Sequence, residues 1–403
     1  MPPTAVRGVK GSYFDTANLE INIADTLDAI DPRELAFLSL LGWPKVAPKE
    51  RGAAKGANSL SFPCNEVTHT WLNDALDPTI IPLNAAYTAG SGTLDFGTTV
   101  INYVAVDDLL MADDVQWRVT AVDTVAGTCS VSLLSGLTDA NVANATNVLR
   151  LQNALVEGKT ADVAGGFSLQ PTQLSNYVQN FDGQVNLTFT EKAIMRYGIG
   201  DNEKREIAMM LQSKFRQFEL ACLYNYRSAA PTATSSKPIM GGLYYYIRRQ
   251  TPEKTNQNYN AAGGKITDTI LKTVCRAIYE AGGEPDTIIV APVQKVQIDE
   301  FLDPYRSVQG FENDRYGGMV SRYANSFFDG KIVISRNLRP GDAIILTTKY
   351  LGVGPLNGHM DLSFSLRQLA DRGNTVDWYL SGSYTMEVRN NTRGHGWIYS
   401  LAT

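Results

Sequence analysis

The feature that most constrains the fold is one helical stretch, Asp201 to Arg227, with neither Gly nor Pro in it. Strong helix formers dominate it. Ile207, Leu211, Phe215, Phe218 and Cys222 recur at steps of three or four and so share one face. The opposite flank carries Glu203, Lys204, Arg205, Gln212, Arg216 and Glu219. Asp201 is placed to cap the start, directly after the breaker Gly198-Ile199-Gly200. At 1.5 Å per residue the helix runs roughly 40 Å, well beyond the usual globular length. No other segment is as long or as clean, so the rest of the chain reads as built around a beam.

Composition removes several function classes. A chain of 403 residues with 44% hydrophobic and 19% charged residues is a folded protein with room for two or three domains. A net charge of −5, with no basic arm at either end, gives no broad grip on nucleic acid or anionic membrane. Any nucleic-acid role is therefore containment. The N-terminus has no apolar core of signal-peptide length, and no run is long enough to span a membrane. Cys64, Cys129, Cys222 and Cys275 are spaced for neither a zinc site nor a disulfide framework, which fits a reducing cytoplasm.

Along the chain, residues 1–30 are polar and aperiodic, as in an arm that orders against something else. Asp31-Pro32-Arg33-Glu34 is a strong helix start, followed by Leu35, Leu38 and Leu41, with Gly42 and Pro44 as the stop. Residues 45–98 read as a long excursion with strand character at 59–62 and 67–71. Short alternating strands then predict a β-rich module from about 99 to 155. After the long helix, Tyr244-Tyr245-Tyr246-Ile247 reads as a strand. A second helix is expected over 267–281, with Ile270, Leu271, Val274 and Ile278 inward. Pro285 to Ala291 has the continuous apolar run of a buried strand. Pro292 opens a third helix whose Val293, Val296 and Phe301 share a face. A long loop follows over 303–330, and two strands, Thr375 to Arg389 and Trp397 to Leu401, end the chain. The mixed order of elements predicts the α+β class.

A search for chemistry returns little. Gly158-Lys159-Thr160 ends like a phosphate loop, but Asn153 stands where the first Gly is required. Gly352-Val353-Gly354 lacks the third glycine of a dinucleotide fingerprint. The three histidines, His69, His359 and His395, have no neighbour at metal-ligand or triad spacing. Asp107-Asp108 and Asp113-Asp114 read as solvated turns, with calcium as the sharper alternative. Tyr244 to Tyr246 followed by Arg248-Arg249 is either core and edge or a stacking platform for single strands. No cofactor, no metal and no enzymatic activity are expected.

Taken in order, these pieces resemble a tailed-phage major capsid protein of the HK97-like fold, in the branch related to the SU10 major head protein. The resemblance runs from about Asp31 to Leu401. It is carried by Asp31-Pro32 through Leu41-Gly42, Trp71-Leu72-Asn73-Asp74-Ala75-Leu76, Glu157-Gly158 and Asn176-Tyr177-Val178-Gln179. Arg196-Tyr197-Gly198-Ile199 before the long helix, Pro285 to Pro292, and Tyr384-Thr385-Met386-Glu387-Val388-Arg389-Asn390 complete it.

The resemblance implies an N-terminal arm at 1–45 and an extended loop at 46–98 and 156–178, with an inserted β-rich domain at 99–155. It also implies a peripheral domain at 179–240 and 357–403, whose spine helix is 201–227, and an axial domain at 241–356. The implied partners are further copies of the chain, enclosed double-stranded DNA without sequence-specific contact, and separate scaffolding, portal and cement proteins, with no membrane. The implied place is the virion capsid, assembled in the host cytoplasm. The chain reaches its arm at once, so scaffold is expected as a separate protein. No Lys-Asn-Glu cross-linking set is evident, so the shell is expected to be held non-covalently. Trp71, Asp74, Glu203, Arg205, Arg216 and Glu219 are the candidate subunit contacts. The competing reading is a tail or baseplate binding protein whose inserted module recognises a receptor or sugar.

Overall fold

The computed structural model describes residues 35–41, 64–73, 78–151, 171–194, 202–228, 237–249, 257–302, 322–356, 365–369 and 373–403. Outside them lie residues 1–34 with the expected cap at Asp31, the strand expected at 59–62, Asp74, Gly158 to Thr160, residues 303–321 and His359. The chain divides into two compact units, one of Met1–Trp71 with Ser175–Thr403, the other of Leu72–Leu174.

In the larger unit the long helix spans Asn202–Tyr224, about 35 Å at the helical rise. It lies against the strand Gln179–Thr188. That strand pairs antiparallel with Thr375–Val388, from Thr188 opposite Thr375 to Gln179 opposite Tyr384. The other edge of Thr375–Val388 takes Ser365–Gln368 and Leu351–Pro355. Burial of the helix is concentrated in its last turns, at Phe218, Glu219, Ala221, Cys222 and Leu223, while Ile207, Leu211 and Phe215 are half-buried. The aromatic packing of the underlying strands sits at that end. The Phe218 ring centroid is 5.1 Å from Phe181 and 4.9 Å from Tyr384.

A six-stranded mixed sheet forms the second layer of this unit. Its order is Asn258–Asn260, Gly396–Tyr399, Ala343–Leu346, Thr287–Val290, Phe328–Ile334 and Arg322–Asn325. Thr287–Val290, the expected buried strand, is at its centre and wholly buried, parallel to one neighbour and antiparallel to the other. The helix Asp268–Glu280 packs Leu271, Val274, Cys275 and Ile278 into the same core, and its Thr267 cap accepts from the Ile270 N–H at 3.3 Å.

Three expectations change here. The tyrosine run is a wide helical turn, Tyr244–Arg249, not a strand. Its backbone acceptors go to side-chain amides. Asn391 donates to Tyr246 O at 3.1 Å and Asn258 to Ile247 O at 3.1 Å. Gly242 sits so close to the end of the long helix that a Cβ there would fall 2.5 Å from Cys222 O.

Second, the helix Pro292–Leu302 turns Gln294, Lys295 and Ile298 inward and leaves Val293 and Val296 39% and 59% exposed. Polar anchors override the apolar pattern. Gln294 donates to Pro340 O at 2.7 Å and to Ala402 O at 2.8 Å, and Lys295 pairs with Asp299 at 2.6 Å. Third, the last strand, Gly396–Tyr399, lies between Asn258–Asn260 and Ala343–Leu346, so it belongs with the segments expected in the axial domain. Conversely, Leu351–Pro355 pairs with Thr375–Val388.

The smaller unit is a single antiparallel sheet ordered Ile80–Pro82, Asn147–Leu151, Leu109–Ala112, Val115–Asp123, Thr128–Leu133, Thr93–Asp95. One face is dry, built from Ile81, Leu94, Leu110, Trp117, Val119 and Val148. Tyr87 packs edge-on to Trp117 with centroids 5.1 Å apart. Gly127, at φ +74°, turns so tightly that a Cβ would meet Gly97 C at 2.5 Å. The sheet starts well before residue 99, because Ile80–Pro82 and Thr93–Asp95 close its two edges. Those residues were expected in the excursion; three-residue strands are too short to show an alternation.

Candidate subunit-interface residues

Trp71 is on the strand Thr68–Asn73, which pairs with Thr172–Tyr177 in a two-stranded ribbon. Its indole is buried and donates to Val388 O at 3.1 Å. The ring stacks 5.8 Å from His69 and lies 5.5 Å from Tyr246. His69 Nε2 is 3.3 Å from Glu387, whose other oxygen accepts from Arg389 Nε. Burial disfavours the imidazolium of His69, but hydrogen bonds to Cys64 and Glu387, with the Glu387 charge, outweigh it and lift the pKa to about 9. Strand 68–73 is thus clamped to the end of Thr375–Val388 by an ion pair and an indole. Trp71 is an anchor inside the subunit.

The next anchor is Asn176, fully buried. Its amide donates to Gly241 O at 2.9 Å and Met386 O at 2.7 Å, and its oxygen accepts from the N–H groups of Gly241 at 2.8 Å and Tyr177 at 2.9 Å. Gln179 Oε1 accepts from Asn225 at 3.0 Å and from Met240 N at 3.1 Å. These two amides tie the ribbon, the end of the long helix and the long strand together. Short buried amides with matched partners fix register where apolar packing alone would allow slip.

The charged flank of the long helix divides. Glu203 accepts from Trp378 Nε1 at 2.6 Å and pairs with Lys192 at 2.7 Å. Arg205 pairs with Glu206 at 3.0 Å, and Arg216 is half-buried and also engaged. Glu219, expected on the outer flank, is fully buried; its Oε1 accepts from the Phe37 N–H at 3.3 Å. The reason is the short helix Ala36–Leu40, whose buried Phe37 and Leu38 bring an unpaired helix-start N–H to that carboxylate. No local sequence signal links residues 182 positions apart. Glu219 is therefore corrected from outer flank to internal anchor, and Asp74 lies outside the described residues.

Further polar groups among the described residues pair within the subunit. His395 is buried between Thr347 N–H, donating to Nδ1 at 3.3 Å, and Arg389 O, accepting from Nε2 at 3.2 Å. Burial pushes its pKa down to about 3, and this pairing suits the neutral ring. Asp113 and Asp114 form an exposed turn between two strands. Among the described residues no group of three or more His, Cys, Asp or Glu is placed to hold a metal. All four cysteines are free and buried, and burial raises the Cys129 and Cys275 thiols to about 12. Among the described residues no helix is long and apolar enough to cross a membrane.

The anchors described here tie segments of one subunit to each other. The family model of the SU10 major capsid protein matches residues 9–402. The chain belongs to this family. The capsid protein also matches a chain of the cyanophage A-1(L) capsid over 98% of its own length and 100% of the other, at 10% identity and a TM-score of 0.54. A protein of Mycobacterium phage Patience is 13% identical, covering 62% of this chain and 76% of that one, with a TM-score of 0.43. No curated protein sequence matches. The likeness to the cyanophage chain shows the mixed helix-and-strand capsid fold. The chain is a major capsid protein of a tailed phage, and the tail or baseplate reading is not favoured.

Proposed function

We propose that this capsid protein assembles as pentamers and hexamers into an icosahedral head that encloses double-stranded DNA without sequence-specific contact. The family match over residues 9–402 carries the proposal. Residues 1–45 serve as the arm and the helix Asn202–Tyr224 as the spine. The extended loop is 46–79 with 152–178, carrying an inserted domain at 80–151 in place of 99–155. The axial domain takes the six-stranded sheet, including Gly396–Tyr399; the peripheral domain takes the spine and the sheet around Thr375–Val388. Scaffolding, portal and cement proteins are separate partners, and assembly is in the host cytoplasm.

Contacts spread over an arm and a loop are individually weak, because each orders chain on assembly, and become strong collectively in a closed shell. A net charge of −5 suits a wall against which packed DNA slides, since a basic lining would pin it. Deleting residues 1–30 is expected to leave a soluble, folded subunit that no longer forms shells, read by sedimentation and electron microscopy. Normal particles from that deletion would remove the arm from the assembly mechanism.

A further inference from the structure

One groove of the larger unit lies beside the Asn225–Gln179 bond. It has a volume of about 440 Å³ and runs between the C-terminal part of the long helix and the turn at 337–339. Its floor is apolar, from Leu220, Ala221 and Leu338, and Leu220 is 38% exposed. Its rim carries one cation, Arg339, which shares the Tyr244 ring with Arg248. The Arg339 guanidinium lies 4.4 Å over Tyr224 and 5.7 Å from Tyr244, and Arg248 lies 5.2 Å from Tyr244 and 3.8 Å over Tyr399. One buried carboxylate, Asp342, lies near both arginines. A stacked guanidinium keeps its outward N–H groups available for carboxylates.

The complementary chemistry exists in this same chain. Residues 15–31 carry Asp15, Glu20, Asp25, Asp28 and Asp31 with no Lys or Arg. Leu19, Ile21 and Ile23 alternate with polar residues, so an extended strand presents all three on one edge. The chain downstream is held on the same helix, because Phe37 bonds Glu219, the neighbour of Leu220. From Leu35 back to Asp31 is about 13 Å of extended chain. The acidic stretch therefore ends four residues before a segment held on the helix that lines the groove.

We propose that residues 15–31 of this chain dock along the groove between the C-terminal part of the long helix and residues 337–339, with aliphatic side chains on Leu220 and carboxylates on Arg339. The docking deepens the arm reading above, yet its test does not require a shell. The test uses the full-length protein carrying Ile23→Cys with Leu220→Cys, oxidised mildly, since the four native thiols of Cys64, Cys129, Cys222 and Cys275 are buried. A disulfide between positions 23 and 220, found by peptide mass spectrometry, is expected at a yield at least about fivefold above an Ile23→Cys, Tyr279→Cys control, and falling with added salt.

Arg339→Glu is expected to reduce the yield by a similar factor. The arm variant Glu20→Gln, Asp25→Asn, Asp28→Asn does so without touching the described fold. A yield no higher than the Tyr279 control, or one indifferent to both charge variants, would overturn the proposal. Shells of the oxidised double-cysteine protein in which the 23–220 yield is no higher than the control would overturn the docking alone and leave the shell reading standing.

Discussion

The smaller unit draws all six strands of its sheet from one passage, Ile80 to Leu151, all paired antiparallel, with Val115–Asp123 between its immediate chain neighbours and Ile80–Pro82 reaching to Asn147–Leu151. The six-stranded sheet of the larger unit gathers strands from Asn258 to Tyr399, two of its pairings parallel. Elsewhere in that unit His69 meets Glu387 across 318 positions and Phe37 meets Glu219 across 182. Local pairing needs little loop closure, and the small sheet holds itself with one apolar face. The larger unit closes long loops and fixes them with buried amides and charge pairs, at Asn176, Gln179, Gln294 and Glu387.

The largest expected effect tests whether the two bodies are energetically separate. Trp117→Ala removes the largest buried side chain of the small sheet and is expected to cost about 4 kcal/mol there. Hydrogen exchange should show protection falling over 80–151 while Thr287–Val290 and Ala343–Leu346 keep theirs. Equal loss in both would break the comparison. Next, Asn176→Ala leaves Gly241 and Met386 backbone groups without their partners and is expected to cost about 3 kcal/mol in the larger unit alone. A loss below about 1 kcal/mol would show that apolar packing already fixes these segments.

The smallest effect concerns pH. With the His69 pKa raised to about 9, its pairing stabilises fully below the ordinary value of 6.5 and is lost as pH rises through 9. The loss is roughly 2–3 kcal/mol, falling on the strand 68–73. Protection at Thr68–Asn73, taken relative to the intrinsic rise of amide exchange with pH, should therefore fall between pH 6.5 and 9 in the native chain and stay flat across that range in His69→Gln. A native profile as flat as that of the variant would remove the ion pair from the clamp.

Elements with a strong local signature were legible in the sequence. The helix Asp268–Glu280 follows from its cap and apolar spacing, and Thr287–Val290 from its continuous apolar run. What was not legible depends on partners distant in sequence. Tyr244 to Arg249 has strand composition, but Asn391 and Asn258 take its carbonyls. Val293 and Val296 are the apolar residues of their helix, yet Gln294 turns inward because Pro340 and Ala402 offer it acceptors. Trp71 and Glu219 read as surface contacts because nothing nearby reveals Val388 or Phe37 above them. The family signature at Asn176 to Gln179 was visible as a motif, whereas its role as a polar tie needed the fold.

Electron microscopy of the purified, concentrated protein tests the central claim most directly. Closed shells, or rings of five and six subunits, are the predicted result. Particles that remain monomers or isolated trimers at high concentration would contradict it.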